Sequence, residues 1–233
     1  AVAVMPLLAA GGSMHENQHM NLLVTQTLST AQTIIEIAAT AAFALSGVIE
    51  AARKRLDAVG IAVVAFLAAF GGGTLRDVLL DRRPFFWVAN QWYVWALLTL
   101  CAAAMLMLRA RHFRVTERAM QWPDALGLGL FAASGTQIAL DAQMPGLIAV
   151  LMGVMTAAFG GVLRDIVCNE IPSAFRDHRP YAVCAFVGGW VVVAIDRMAQ
   201  MPTLALAVGG LLATVLRLLA IRLDWTLPRW RVE

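Results

Sequence analysis

The chain has 233 residues, of which 60% are hydrophobic and only 14% are charged, and its mean hydropathy is +0.72. Soluble domains carry about 25% charged residues, so this composition excludes an ordinary soluble protein and indicates an integral membrane protein. The formal net charge of +3 does not indicate nucleic-acid binding, because the basic residues are scattered over loops. The three cysteines and four histidines lack metal-ligand spacing, so we predict no metal site, no cofactor and no disulfide.

Seven stretches are long and apolar enough to cross a bilayer, which requires about 20 residues each. They cover residues 31–51, 58–80, 87–108, 123–141, 146–168, 180–198 and 203–222. The predicted fold class is an all-α integral membrane protein with seven transmembrane helices and short loops. Residues 1–28 form an N-terminal tail, and its first part, 1–13, looks like vector-derived sequence and is left out of the predicted fold.

The basic residues predict the orientation, because Lys and Arg collect in cytoplasmic loops. With the N-terminus outside, twelve lie on the cytoplasmic side and three outside. The cytoplasmic set is Arg53, Lys54, Arg55, Arg109, Arg111, Arg114, Arg118, Arg176, Arg179, Arg222, Arg229 and Arg231. We therefore expect a multi-pass protein of the inner (plasma) membrane with a cytoplasmic C-terminus.

One sequence motif occurs twice. GGGTLRD at residues 71–77 is matched by GGVLRD at residues 160–165, which places the second Arg-Asp 88 residues after the first. The same offset of 88 aligns FALSG at 43–47 with FAASG at 131–135 and Glu36 with Asp124. The repeat predicts two three-helix units, 29–108 and 123–198, joined by a basic loop at 109–122 and followed by a seventh helix at 199–222 and a tail at 223–233. Because each unit has an odd number of spans, the units form an inverted repeat.

The repeated glycines predict helix breaks. Each glycine costs about 1 kcal/mol relative to alanine inside a helix, and broken backbone at membrane depth normally lines a polar pathway. Two bent helices with wet mouths on either side would give an hourglass-shaped route. The alternative is that the glycines only allow close helix packing. The candidate kink residues are Gly71, Gly72, Gly73, Gly160 and Gly161, with Phe159 as a possible apolar plug in place of a third glycine.

The charged residues after the glycines should lie near opposite membrane faces. We expect Arg76 and Asp77 not to neutralise each other, because successive helical residues point about 100° apart; the same holds for Arg164 and Asp165. The aspartates could attract cations, and the arginines could form a barrier, hold a gate or bind lipid phosphate.

Five further polar residues have two interpretations each. The hydroxyls of Ser46, Thr74 and Ser134 could offer oxygen to a cation, or could bond a carbonyl one turn back. Glu36 and Asp124 lie near the predicted starts of two helices, where a carboxylate could stabilise the helix N-terminus instead of lining a pore.

With these motifs, the chain resembles the prokaryotic trimeric intracellular cation (TRIC) channel family over residues 29–222. The resemblance implies a homotrimer in which each protomer has its own pathway for potassium and other monovalent cations, formed around kinked second and fifth helices. Bacterial sequences with the same duplicated domain are also described as glycine-transporter-like.

Three function classes follow. The first is a monovalent cation channel, and the second is a carrier for a small zwitterion such as glycine. An enzyme is the third and weakest class, because no phosphate loop and no catalytic constellation occurs within the apolar spans. The expected ligands are transported potassium ions and membrane lipids, with no nucleic acid and no soluble protein partner. The residues expected to contact anionic lipid are Arg109, Arg111, Arg114 and Arg118.

Overall fold

The computed structural model describes the backbone of residues 5–110, 117–176, 179–226 and 228, and the side chains of 27, 28, 30–106, 118–175, 179–226 and 228. Within these residues the protein is entirely helical, with no strand. The helices are α1 (Met5–Arg53), α2 (Ala58–Leu79), α3 (Phe86–Ala89), α4 (Trp92–Ala110), α5 (Glu117–Asp141), α6 (Gly146–Val167), α7 (Ser173–Arg176), α8 (Ala182–Ala199) and α9 (Pro202–Arg222).

Five of the described helices are long and apolar enough to span a membrane: Thr30–Arg53 within α1, and the whole of α2, α6, α8 and α9. A shorter apolar stretch, Trp92–Leu106, lies in α4. The predicted all-α, multi-pass membrane protein is thereby confirmed. The seven-span count itself stays a prediction, since the described apolar stretch of α4 is short and α5 is less apolar.

Helix α5 is less apolar because it occupies the centre of the bundle. It packs against α1, α6, α8 and α9, so protein surrounds it on most sides. Its polar side chains are accordingly buried, among them Asp124, Ser134 and Gln137, with 3%, 0% and 1% of their surface exposed. A helix that meets little lipid needs no apolar outer face.

Helix α1 is longer than expected. It begins at Met5, so the helix of the first span continues back through the segment that the sequence assigned to a tail. An existing helix extends at little cost per residue, whereas a new one requires an unfavourable nucleus.

The predicted break of the helical backbone at the glycines is wrong, because α2 and α6 both run unbroken through them. The glycines serve the close contact of these two helices. A Cβ built on Gly72 would lie 2.0 Å from the carbonyl oxygen of Thr156, and one on Gly160 would lie 2.2 Å from that of Ala68. No side chain fits in either place, so the close-packing alternative explains these positions. A bend within a continuous helix stays a prediction.

The contacts at this crossing recur at the sequence offset of 88. Gly72 of α2 contacts Thr156 of α6, and Ala68 of α2 contacts Gly160 of α6. The contact position therefore moves backward along α6 as it moves forward along α2, so the two helices run antiparallel where they touch. The neighbouring helix pairs show the same offset. A Cβ on Gly47 would lie 2.8 Å from the Cα of Ala65, and one on Gly135 would lie 3.0 Å from the Cα of Gly153.

The crossing can be tested with alanine. Gly72→Ala and Gly160→Ala each place a methyl group against a backbone carbonyl that cannot rotate away, and overpacking costs about 1–3 kcal/mol. We expect both variants to unfold at a lower temperature than the native protein in detergent. Gly210→Ala is the control, since its methyl group would meet Ala133 Cβ at an ordinary 3.5 Å. Equal melting temperatures for the Gly72 and Gly210 variants would contradict the close crossing.

Candidate functional site

The first cluster consists of Glu36, Arg76 and Asp77. The Arg76 side chain is fully buried. Its Nη1 donates to Glu36 Oε1 at 2.6 Å, and its Nε donates to Asp77 Oδ1 at 2.9 Å. The other oxygen of Asp77 accepts the backbone N–H of Phe86 at 3.2 Å. The cluster thus joins α1 to α2 and ties the chain that follows α2 back to this helix.

The second cluster, Asp124, Arg164 and Asp165, repeats this arrangement 88 residues later. Arg164 Nη1 donates to Asp124 Oδ1 at 2.6 Å, and Nε donates to Asp165 Oδ1 at 2.8 Å. Asp165 Oδ2 accepts the backbone N–H of Ser173 at 2.8 Å. Arg164 Nη1 also donates to the hydroxyl of Ser46, which comes from the other half of the chain.

Two predictions about these residues are wrong. Adjacent arginine and aspartate do neutralise each other, because the arginine side chain is long enough to reach round the helix to its neighbour. Glu36 and Asp124 do not cap helix N-termini. Each lies inside its helix, α1 or α5, and contributes the second carboxylate that holds a buried arginine.

Each cluster combines one guanidinium with two carboxylates. When all three groups are ionised, each cluster carries one excess negative charge. Taking charges out of water costs several kcal/mol per ion, and only close partners with good hydrogen bonds compensate for this. The short contacts therefore stabilise the buried arginines, while the three groups of each cluster, counted by themselves, keep one excess negative charge.

The candidate hydroxyl groups differ in their surroundings. Thr74 donates to the carbonyl oxygen of Phe70 one turn back and accepts from Trp87 Nε1, so its hydroxyl is satisfied within the protein. Ser46 contacts Arg164. The Ser134 hydroxyl is buried and has no hydrogen-bond partner among the described residues.

The surroundings of the two clusters are not equivalent. In the first half, a Cβ on Gly73 would lie 2.5 Å from the ring of Phe86. In the second half, a Cβ on the equivalent Gly161 would lie 3.1 Å from Tyr181 Oη and 3.4 Å from Asp124 Oδ1. Apolar packing thus borders the first cluster and polar atoms border the second.

The second cluster also borders a polar cleft at the surface. Asp165 lines this cleft together with Glu50, Arg53 and Glu170. Arg53 bonds Glu50 at 2.6 Å and lies 3.3 Å from Glu170. The cleft therefore connects the buried carboxylate to charged groups at the ends of α1 and α6.

The remaining candidates stand as follows. Gly71 is close to α6, since its Cβ would meet Leu163 Cδ1 at 2.6 Å. Phe159 is only half-buried, and its role as a plug stays a prediction.

Of the residues expected to contact lipid, Arg118 is exposed at the start of α5. Arg111, Arg114 and the side chain of Arg109 lie outside the described residues, so the lipid-contact prediction is untested. Among the described residues, no group of three His, Cys, Asp or Glu side chains could hold a metal ion.

The sequence reasoning overlooked Arg217 on α9. Its surface is only 2% exposed, and its guanidinium lies over the ring of Tyr181, 4.7 Å from the ring centre. A single arginine within an otherwise apolar span was the available signal, because intramembrane charges are functional candidates.

A model of the glycine transporter family matches residues 33–109 and 121–197, which are two copies 88 residues apart. The chain belongs to the glycine transporter family. A UPF0126 membrane protein of Vibrio cholerae is 37% identical over 195 residues, which cover 84% of this chain and 81% of that protein. The UPF0126 inner membrane protein YadS of Escherichia coli K12 is 36% identical over 201 residues, covering 85% of this chain and 96% of that protein.

Solved structures show the same fold. The TRIC trimeric intracellular cation channel orthologue from Rhodobacter sphaeroides has a TM-score of 0.78 at 33% identity, over 84% of this chain and 100% of that one. A prokaryotic TRIC channel crystallised in 0.5 M KCl has a TM-score of 0.78 at 23% identity, over 85% of this chain and 100% of that one, and supports the fold alone. The resemblance that the sequence motifs indicated is confirmed.

The buried pairs can be tested by removing one partner. Arg164→Gln leaves Asp124 and Asp165 buried without a cation, and breaking a buried pair in this way costs about 3–5 kcal/mol. We expect a large fall in melting temperature or loss of folded protein in size-exclusion chromatography. Arg82→Gln is the control: it lies 3.7 Å from Asp77 with its side chain 49% exposed, and exposed pairs contribute little. If the two variants were equally stable, the second cluster would not stabilise the fold.

Proposed function

We propose that the protein is a channel for monovalent cations, including potassium, with one pathway in each protomer of a homotrimer. The observation in this chain that carries the proposal is the pair of buried clusters, each with an excess negative charge. The likeness to TRIC cation channel structures at 33% identity supports it.

The proposed pathway runs past both clusters and is narrowest at the crossing of α2 and α6. Arg76 and Arg164 each follow the crossing glycine by four residues, which is about 6 Å along a helix. Because the helices are antiparallel at the crossing, the clusters lie on opposite sides of it. We propose that the pathway is lined by Gly71, Gly72, Gly73, Gly160, Gly161 and Phe159 and by the polar residues Ser46, Thr74, Arg76, Asp77, Ser134, Arg164 and Asp165.

The proposed topology has seven spans, with two inverted three-helix repeats and α9 as the unpaired seventh helix. The contacts that recur at an offset of 88 support the repeat. The distribution of Lys and Arg supports an N-terminus outside and a cytoplasmic C-terminus. The first cluster then faces the outside and the second cluster faces the cytoplasm, with membrane lipids around the trimer.

Currents in a planar bilayer with a potassium chloride gradient test the channel. We expect unitary steps with a cation-selective reversal potential for the native protein. Asp77→Asn and Asp165→Asn should each lower the cation current about thirtyfold. A unit charge about 8 Å away contributes about 2 kcal/mol at an effective dielectric constant of about 20, and about 1.4 kcal/mol corresponds to a factor of ten. Asp57→Asn makes the same chemical change at the exposed N-cap of α2, where asparagine is also a good cap, and should leave the current unchanged.

Folding of the two cluster variants is checked separately by size-exclusion chromatography, so that a lost current is not confused with a lost protein. An anion-selective reversal potential, or unitary currents that are the same in all three variants, would contradict the proposed pathway.

A carrier for a small zwitterion is the second candidate, and the double match to the glycine transporter family favours it. A carrier would give saturable glycine exchange in liposomes and no unitary current. In that case the two halves would rock against each other around a bound solute. Exchange and bilayer current are measured on the same preparation, so that one result separates the two functions.

A further inference from the structure

Arg217 is a buried cation without a counter-ion among the described residues. Its Nε and Nη1 atoms donate to no acceptor among the described residues, although only 2% of its surface is exposed. By contrast, two carboxylates hold each of Arg76 and Arg164. A buried charge without a partner is strongly destabilising, so this position requires an acceptor that the described part of the chain does not supply.

A second unpartnered donor lies on the same ring that Arg217 covers. The Tyr181 hydroxyl is buried and has no hydrogen-bond partner in the described part of the chain, while Arg217 Cζ lies 4.7 Å from the centre of the Tyr181 ring. The guanidinium and the hydroxyl group are therefore close enough for one small acceptor to bind both. Unsatisfied buried donors are unusual in native proteins, where such groups pair with protein, ordered water or a bound ion.

The comparison of the two halves shows why this position is polar. Tyr93 and Tyr181 are equivalent at the offset of 88. In the first half, Tyr93 packs edge-on against Phe86, whose ring fills the space at Gly73. The residue equivalent to Phe86 is Ala174, which has no ring. The corresponding space at Gly161 is bordered instead by Tyr181 Oη, Asp124 and Arg164.

Charge limits the ligand to a single negative charge. Arg164 and Arg217 together carry two positive charges, and Asp124 and Asp165 carry two negative charges. These four charges sum to zero, but Asp124 and Asp165 both contact Arg164, and no described salt bridge reaches Arg217, so Arg217 is the charged group without a direct partner. A dianion at this position would add an uncompensated charge next to two carboxylates, which is unfavourable in a buried site.

We propose that Arg217 and Tyr181 bind one small monovalent anion, either a free halide or the carboxylate of a small amino acid. The donors are Tyr181 Oη and one of the two unpartnered edges of the Arg217 guanidinium, at Nε or at Nη1, which face different directions. Charge-assisted hydrogen bonds to a planar guanidinium suit both kinds of acceptor. This site is additional to the cation pathway, and binding can be measured whether or not the protein conducts.

The test is a ligand titration of purified protein in an uncharged detergent. The melting temperature is measured at each ligand concentration. Sodium chloride, sodium acetate and glycine are titrated separately, with sodium sulfate keeping the ionic strength constant, because the proposed site should not accept a dianion. A ligand that binds only the folded state raises the melting temperature in a saturable way. We expect saturation for at least one of the three ligands with the native protein.

Two variants locate the site. Arg217→Gln should weaken binding at least tenfold, and Tyr181→Phe, which keeps the ring but removes the hydroxyl, should weaken it several-fold. Arg222→Gln is the matched control, because Arg222 on the same helix also lies over an aromatic ring, 4.9 Å from the centre of Trp122, but is exposed. If Arg217→Gln does not fold, Tyr181→Phe decides the question.

The three ligands distinguish the source of the anion. Glycine binding at least tenfold more tightly than acetate assigns the site to an amino acid whose ammonium group also finds a partner, whereas tighter chloride or acetate binding assigns it to a simple anion. Bromide in crystals should give an anomalous peak beside Arg217 if the halide binds. The absence of a saturable shift with all three ligands, or native affinity in Arg217→Gln and Tyr181→Phe, would overturn the proposal.

Discussion

Direct contact between the backbones of α2 and α6 is the constraint on which the other features depend. Only glycine allows it, because a methyl group at Gly72 or Gly160 would collide with a carbonyl oxygen. The antiparallel crossing directs the two Arg-Asp pairs away from each other. Each arginine must therefore be neutralised within its own half. The partner comes from 40 residues upstream, on α1 for Arg76 and on α5 for Arg164.

Each buried arginine is held by two carboxylates, and this affects both the charge of the cluster and the structure of the chain around it. One carboxylate would already neutralise the guanidinium. The adjacent aspartate also accepts a backbone N–H from the chain beyond the helix, that of Phe86 in the first half and of Ser173 in the second. The adjacent aspartate, Asp77 or Asp165, thus fixes the turn after each helix. The same residue leaves one excess negative charge beside the proposed pathway, so stabilisation of the fold and attraction of cations have a common origin.

Much of the fold could be predicted from the sequence, because a motif repeated at an offset of 88 and several apolar spans are strong signals. The partners of the arginines could not be predicted in this way. The helical angle between Arg76 and Asp77 says nothing about the reach of a long side chain. The capping interpretation of Glu36 depended on where α1 begins, and the helix begins far upstream at Met5. The glycines were ambiguous between a broken helix and a close contact, because both require the absence of a side chain.

The two halves have equivalent helix contacts, but different side chains surround their clusters. A ring, that of Phe86, borders the first cluster, whereas Ala174 at the equivalent position leaves polar atoms around the second. Helix α9 lies outside the repeat and adds Arg217 to the second half alone. A cation that passed both clusters would therefore meet an apolar border at one and an additional positive charge at the other. Because an anion on Arg217 would neutralise that charge, the occupancy of the proposed anion site would set how strongly the second cluster attracts cations, while the first cluster would be unaffected.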